Sequence, residues 1–593
     1  MEIKNGFISY ISNGERRECN FNDNLNNKDL EITIVTYNYC DGLRFTVKII
    51  PRHPLEIIAF FIEMDETIKK DQQLFLNGYQ TWTESKEFTL EDSIPKLRKL
   101  AKCILSVYGD YGFYPHNKDK LQSFTYTYIR EENAIKLLGS LSEHTGYSIF
   151  EFNKLQKNLK IIKDCSGLTI KSEYEVFDLY FVEGEENYCF SKYFHAMKLP
   201  APRIKQCTGW TSWYNYYTNI TEKIVMNNLE AFKSRDIPIE FFQIDDGYQE
   251  AVGDWLYINN KFPSGMEFVS SEIHKAGYKS GLWLAPFICE RKSRICLEHP
   301  EWVLQTAGFN PGWSYFFKVL DFYNEEVRNY LREVFHTVLQ IWNYDMVKLD
   351  FLYAVALIPR KDKTRGQIMH EAMEFLREIC GDKIILGCGV PLGSAFGITD
   401  ACRIGSDVSL VWEDKLLNCL HYRERVSTIN SISSTIGRRH LNGDAFLNDP
   451  DVFILRSKNN KLTKHQRYTL LLINLIFGGL VFTSDNISEY SEEELQLYKS
   501  IFPIKEKIIT KVEFSQVVRI NFLIDNNEYL VLCNLEATKL ATTTKEAGNY
   551  FNKAKGLIDT NTIISLEPYQ SVCFIKAEAV KEKHLKSTNI FML

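Results

Sequence analysis

The chain has 593 residues, 45% of them hydrophobic and 25% charged, an ordinary balance for a globular protein of about two to four domains. A net charge of −6 and a pI of about 6.1, with no basic tract or stripe, argue against nucleic acid as a partner. The longest apolar run, Thr469 to Phe482, contains Asn474 and a Gly-Gly pair and is too short to span a bilayer, so no membrane segment is expected; it reads as a buried helix leading into a strand.

At the N-terminus, Met1 to Gly6 has no charged stretch followed by an apolar core, and no signal peptide is expected. The fourteen cysteines form no Cys-x-x-Cys pairs and no framework spacing, which fits buried free thiols in a reducing cytoplasm. On that reading the sequons at Asn219 and Asn486 are chance matches.

The first two hundred residues read as strands. Alternating runs such as Ile32–Tyr37 and Leu43–Ile50 are punctuated by turn signals at Asn77-Gly78 and Gly109–Gly112, the spacing of a β-sandwich. Lys86 to Tyr108 reads as a mixed segment. After Pro200-Ala201-Pro202 the pattern changes to short buried strands alternating with helices. Strands are expected at Gln206–Trp213, Glu240–Asp245, Lys279–Pro286, Met346–Phe351, Lys383–Gly389, Ala401–Ser406, Ala445–Asn448 and Gly479–Ser484. Helices are expected between most of them, at Thr221–Ser234, Glu325–Trp342 and Thr364–Cys380 among others. This is the pattern of a (β/α)8 TIM barrel, with charged residues at the C-terminal strand ends where barrel enzymes keep their chemistry. Alternating β patterns return at Glu528–Cys533 and Ile564–Ile575, and a Lys-rich tail follows from Lys581. The expected architecture is multidomain: an N-terminal β-sandwich over 1–198, a barrel over 199–505 and a small C-terminal β domain over 506–593.

The segment Asp345–Tyr353 carries the most information. It reads as a buried strand ending in a carboxylate, with Lys348 and Asp350 on the same side. An ionised Asp350 can attack an anomeric carbon, and Lys348 would favour the ionised form by proximity. The competing reading is a structural ion pair at a strand end. A second carboxylate, Asp407, follows Arg403 in Arg403-Ile404-Gly405-Ser406-Asp407. A proton donor to a leaving oxygen must stay protonated near neutral pH, which calls for burial or a neighbouring carboxylate. The competing reading of Asp407 is a helix cap. Two such carboxylates on one scaffold are what glycosidic bond cleavage needs.

Asp245-Asp246, after the mostly apolar Phe241–Ile244, suits bidentate contact with sugar hydroxyls; a divalent metal or a turn cap with Gly247 are the alternatives. No further oxygen ligands stand at diagnostic spacing, so a metal is the weakest of these. Trp82, Trp210, Trp213, Trp255 and Trp283 mostly sit beside polar residues or glycine, and an indole packs on the apolar face of a pyranose; core packing is the competing reading for each. Two motifs mislead. Gly387–Gly393 resembles a dinucleotide loop with the wrong glycine spacing, and His370-Glu371 opens like a zinc-protease motif without its second histidine.

Together the segments resemble glycoside hydrolase family 36, the bacterial α-galactosidase family, from about Cys207 to Asp485. The likeness runs through Gly209-Trp210-x-Ser212-Trp213-Tyr214, Gln243–Asp246, Gly253-Asp254-Trp255 and Gly281-x-Trp283-x-Ala285-Pro286-Phe287. It continues through Lys348-x-Asp350-Phe351, Gly387-Cys388-Gly389-x-Pro391-Leu392, Arg403-Ile404-Gly405-x-Asp407, Leu447–Asp451 and Ser484-Asp485. The resemblance implies Asp350 as nucleophile and Asp407 as acid/base. It implies that Asp245, Asp246, Lys348, Cys388 and Arg403 hold galactose hydroxyls and that Trp283 lines the pocket. Asn77–Trp82 resembles the loop that family members send from the N-terminal sandwich into the site, with Trp82 the residue that enters it.

The expected activity is therefore exo-acting, retaining hydrolysis of terminal α-galactosyl residues from oligosaccharides, with no cofactor and with the two carboxyls about 5–5.5 Å apart. Thr211 stands where Asn is usual, Ser406 where Pro is frequent and Tyr79 where Trp is frequent. Thr211 and Ser406 leave the C2 substituent open, so an α-N-acetylgalactosaminidase is the nearest alternative. A transglycosylating relative and a catalytically silent sugar-binding protein are the others. A homo-oligomer is compatible with the sequence.

Overall fold

A computed structural model describes residues 2–544, 549–579 and 590–592. The Lys-rich stretch from Lys581 lies outside the described residues up to 589. No helix among the described residues is long and apolar enough to cross a membrane.

The N-terminal part is two packed antiparallel sheets. One runs Glu15–Phe21, Ile3–Ser12, Leu55–Met64, Asn158–Lys163, Ser148–Asn153, Lys120–Phe124, with Leu168–Ile170 also on Leu55–Met64. The other contains eight strands, centred on Gly42–Pro51, Tyr174–Gly184 and Ala134–Ser140. Alternation drives the packing: in Leu55–Met64, Leu55, Ile57, Phe60, Ile62 and Met64 are buried between the sheets. The segment read as mixed resolves into a short strand, Lys86–Phe88, and a helix, Lys99–Leu105. Part of the outer face of the eight-stranded sheet packs on the barrel instead of facing solvent. Tyr126, Tyr128 and Tyr180, with Phe190 and Tyr193 of the helix Glu186–Met197, belong to the same apolar cluster as the barrel.

The barrel strands are Cys207–Thr211, Phe241–Ile244, Lys279–Leu284, Met346–Leu349, Ile384–Gly387, Ala401–Arg403, a divided seventh strand and Leu480–Thr483, all paired in parallel. The seventh strand was expected at Ala445–Asn448. It is instead Leu447–Asp449, paired to the sixth, and Val452–Phe453, paired to the eighth. Pro450 lacks a ladder donor, and Asp451 has φ 73°, so the strand breaks where it changes partners and the barrel closes across the break.

The helices begin where capping residues stand. Thr221 and Thr364 accept hydrogen bonds from the backbone N–H groups of Ile224 and Gln367, and Gln367 completes a capping box. Glu325–His336 continues through a π turn, Thr337–Ile341, close to the expected end at Trp342. The run Thr469–Phe482 is, as expected, the end of a helix, Lys464–Phe477, followed by the eighth strand. One element was not foreseen: a three-stranded antiparallel sheet of Ile288–Glu290, Tyr315–Leu320 and Val303–Asn310 beyond the third strand.

C-terminal to the barrel, a six-stranded sheet is built on Val517–Ile524, Asn527–Asn534 and Ser571–Lys576. Asp525 and Asn526 both have positive φ, which is the type I′ geometry that a two-residue hairpin needs.

Candidate active site

The ends of the first four barrel strands and the segment after the sixth converge on one cavity of about 250 Å³. It is lined by Trp82, Trp213, Asp245, Asp246, Trp283, Trp313, Lys348, Asp350 and Asp407, with Leu105, Tyr108, Asn310, Phe351, Tyr422, Glu424 and Val426 completing the wall.

The second strand is buried throughout, so its apolar run ends with Asp245-Asp246 at the barrel mouth. The Asp245 N–H donates to Ser212 Oγ at 2.9 Å. Its Oδ2 accepts from Lys348 Nζ at 2.8 Å and from Gln243 Nε2 at 2.9 Å. Burial opposes the Lys348 charge, yet Asp245, Asp350 and Cys388 together outweigh it and hold the ammonium above its usual range. Asp246 accepts from Gln249 Nε2 at 2.6 Å and from the Trp313 indole at 2.9 Å. Burial pushes its carboxyl up to about 6; the bonds from Trp313 and Gln249 oppose the rise, while Asp245 and Glu290 add to it.

Asp350 ends the fourth strand. Its N–H donates to Leu284 O at 2.8 Å, its Oδ1 accepts from the Phe351 N–H at 2.8 Å, and its Oδ2 accepts from Trp283 Nε1 at 3.1 Å. Phe351 takes φ 53°, an uncommon conformation for a bulky residue, which turns the chain sharply after the carboxylate. Lys348 bonds Asp245, so the simple ion pair with Asp350 is not what this strand end holds. Its charge still favours the ionised Asp350, as expected, together with the Trp283 and Cys388 bonds; burial outweighs them and Asp407 adds to it, so the carboxyl stands above its usual range.

Asp407 does not cap a helix. The next helix is Lys415–Cys419, capped by Asp414. Instead Asp407 Oδ1 accepts from Arg403 Nη1 at 2.6 Å, and its side chain is 34% exposed toward the cavity. Arg403 is fully buried and also donates to Asp449 Oδ2 at 3.1 Å and Asp451 Oδ1 at 2.9 Å. Burial pushes the Asp451 carboxyl up, against the pull of Arg403. Tyr214 OH and the Val408 N–H both donate to it.

Of the residues singled out from sequence, Trp82, Trp213, Asp245, Asp246, Trp283, Lys348, Asp350 and Asp407 meet in this cavity, whereas Trp210 and Trp255 are buried in the apolar core. Cys388 and Arg403 stand behind its wall. Cys388 Sγ accepts from Trp82 Nε1 at 3.3 Å, and burial, with Asp350 beside it, keeps the thiol neutral. Arg403 acts on the cavity through Asp407. No three His, Cys, Asp or Glu side chains are grouped to hold a metal ion among the described residues.

Trp82 arrives from the N-terminal sheets. Its loop is held by the Thr81 N–H on Val390 O at 3.0 Å and the Gly389 N–H on Thr81 Oγ1 at 2.8 Å. Gly389 has φ 59°, and a Cβ there would lie 3.0 Å from both the Trp82 ring and the Phe351 nitrogen, so only glycine lets the indole seat. The Trp82 ring packs edge-on against Phe351 and Tyr353. Arg438, fully buried, donates to Asn77 Oδ1 and to the carbonyls of Gly78, Gln80, Thr81 and Ile404. Burial lowers its guanidinium to about 10.

Sequence reasoning did not pick out Trp313, Tyr108, Glu424 or Arg438. Trp313 follows Pro311-Gly312, a turn signal that could have marked an exposed aromatic tip. The other three carry no local signature.

Residues 208–380 match the Melibiase family model. The structure aligns with TtGalA, the α-galactosidase of Thermus thermophilus, solved in complex with p-nitrophenyl α-D-galactopyranoside, at a TM-score of 0.67 and 25% identity over 84% of this chain and 98% of that one. The resemblance is to the family 36 α-galactosidases. Alpha-galactosidase 1 of Pediococcus pentosaceus is 27% identical over 190 residues, 28% of this chain but only 26% of that protein. The family 36 α-galactosidase AgaA of Geobacillus stearothermophilus shares the fold at a TM-score of 0.62 and 12% identity, over 92% of this chain and 81% of that one. The likeness thus has two levels: the family model covers part of the barrel, and the shared fold extends over most of the chain. This chain is a multidomain barrel with sheet-rich regions on both sides, a fold it shares with these structures.

Proposed function

We propose that the chain is a retaining, exo-acting hydrolase of terminal α-linked galactose. One observation carries the reading: Asp350 and Asp407, from different strands, line a single cavity whose wall also holds Asp245 paired to Lys348. The solved TtGalA complexes with p-nitrophenyl α-galactoside and stachyose support an α-galactoside as the substrate class.

In this mechanism Asp350 attacks the anomeric carbon while Asp407 gives its proton to the departing oxygen, leaving a covalent β-galactosyl enzyme and a free alcohol. Asp407, now ionised, removes a proton from water. The resulting hydroxide oxygen displaces Asp350, restoring both carboxyls and releasing α-galactose. Asp350 is oriented for this by the Trp283 indole and its own neighbouring N–H. Asp245, Asp246 and Lys348 are the groups for the sugar hydroxyls, and the indoles of Trp82 and Trp283 exclude water and pack on the ring.

The test is Asp350→Gly. Turnover of p-nitrophenyl α-galactoside should drop by roughly a thousandfold or more. Azide should restore it and yield β-galactosyl azide. Wild-type turnover in the variant refutes the nucleophile assignment. Hydrolysis of the 2-acetamido analogue at an equal or higher rate than the galactoside would make the chain an N-acetylgalactosaminidase with the same carboxylates.

A further inference from the structure

One carboxylate on the cavity wall has no part in that reaction. Glu424 follows Asp407 in the chain, beyond the short helix Lys415–Cys419, and it is 4% exposed. Its Oε1 accepts from Thr83 Oγ1 at 2.7 Å and its Oε2 from Tyr111 OH at 2.8 Å, both donors on connecting segments of the N-terminal part. Among the described residues no cation is hydrogen-bonded to it. The adjacent Arg423 guanidinium turns away to Asp110. By contrast, Asp245 and Asp407 each hold a cation directly.

Its direct bonds are two hydroxyls, and the nearby Arg423 charge with those bonds offsets only part of the cost of burying it. Space is kept for it: a Cβ on Gly109 would fall 2.6 Å from Oε1. Each oxygen accepts one bond and retains capacity for another. Around it stand the Tyr422 ring, the half-exposed Val426 and, from the N-terminal part, Leu105. A single hydroxyl-reading group inside an apolar collar is the form of a pyranose site. Val426, 44% exposed, puts this stretch of the wall at the cavity rim, and a hydrolase of terminal residues holds its leaving group on the open side.

We propose that Glu424 anchors a subsite for the leaving-group sugar, accepting from its hydroxyls, and that Thr83 and Tyr111 set its position. The assignment rests on the α-galactosidase reading above. It makes the N-terminal sheets a determinant of which glycosides are cleaved.

The test compares kcat/KM for p-nitrophenyl α-galactoside, whose leaving group carries no sugar hydroxyls, with kcat/KM for raffinose. In Glu424→Gln the raffinose value should fall about tenfold more than the aryl value. Inhibition by free galactose should keep its wild-type constant. Val426→Trp, at an exposed rim position, should shift the same ratio in the same direction, and it decides alone if Glu424→Gln does not fold. Equal losses on both substrates, or an altered galactose constant, overturn the subsite. A wild-type protein that cleaves neither substrate overturns the activity itself and this assignment with it.

Discussion

Two fully buried arginines flank the cavity and live in opposite surroundings. Arg403, in the sixth strand, divides its guanidinium among three carboxylates, Asp407, Asp449 and Asp451. Arg438, at the seam with the N-terminal sheets, has, among the described residues, only neutral acceptors, an amide oxygen and four backbone carbonyls. The anions hold Arg403 above its usual range against burial, whereas burial wins at Arg438. Near the reacting carboxylates, charge is concentrated and used to orient Asp407. At the seam, a cation serves as a bundle of donors that reads the backbone of the Trp82 loop.

Arg403→Met should break the first environment most severely. It strands three carboxylates in the wall, costs about 3–5 kcal/mol and removes the partner of Asp407. Denaturant unfolding would report the loss of stability, and kcat should fall with it. Arg438→Met should cost about 3 kcal/mol, because carbonyls rather than charges lose their partner. Its kinetic mark should be a raised KM, through Trp82, more than a lowered kcat. If both variants depress kcat alike, the seam and the sixth strand do not differ in the way described.

Trp82→Ala isolates the end of the seam. KM should rise about tenfold, the scale of one lost stacking contact, with little change in unfolding midpoint. Unchanged kinetics would exclude the N-terminal sheets from the pocket.

The smallest effect concerns Asp246. Burial first, then Asp245 and Glu290, raise its carboxyl from the usual 3.8 to about 6. Between those values the folded protein keeps a proton that the unfolded chain has released. Stability therefore falls as pH rises through this window, by about 1 kcal/mol per pH unit at its steepest. Asp246→Asn should flatten that slope in urea unfolding curves taken between about pH 4 and about pH 6. An unchanged slope would mean that burial does not govern this carboxyl.

The barrel was legible because each strand is a short apolar run ended by a polar residue, as in Phe241–Ile244 before Asp245. The strand-end carboxylates followed from the same pattern. What stayed hidden depends on contacts between distant segments. Arg438 sits in Gly437-Arg438-Arg439-His440, which looks like a solvated basic end to a helix until the Trp82 loop is laid over it. Glu424 stands between two arginines and suggests a surface charge cluster, yet Arg423 and Arg425 turn to Asp110 and Glu413. The break in the seventh strand was in the sequence as Pro450. Its consequence, a strand shared between two neighbours, is set by barrel closure and has no local signature.

Because the Trp82 indole is delivered from outside the barrel, turnover reports on assembly as well as on chemistry. During renaturation, far-UV ellipticity should recover as each part acquires its backbone order. Substrate cleavage should trail behind, clocking the encounter that brings the two halves of the reaction chamber together.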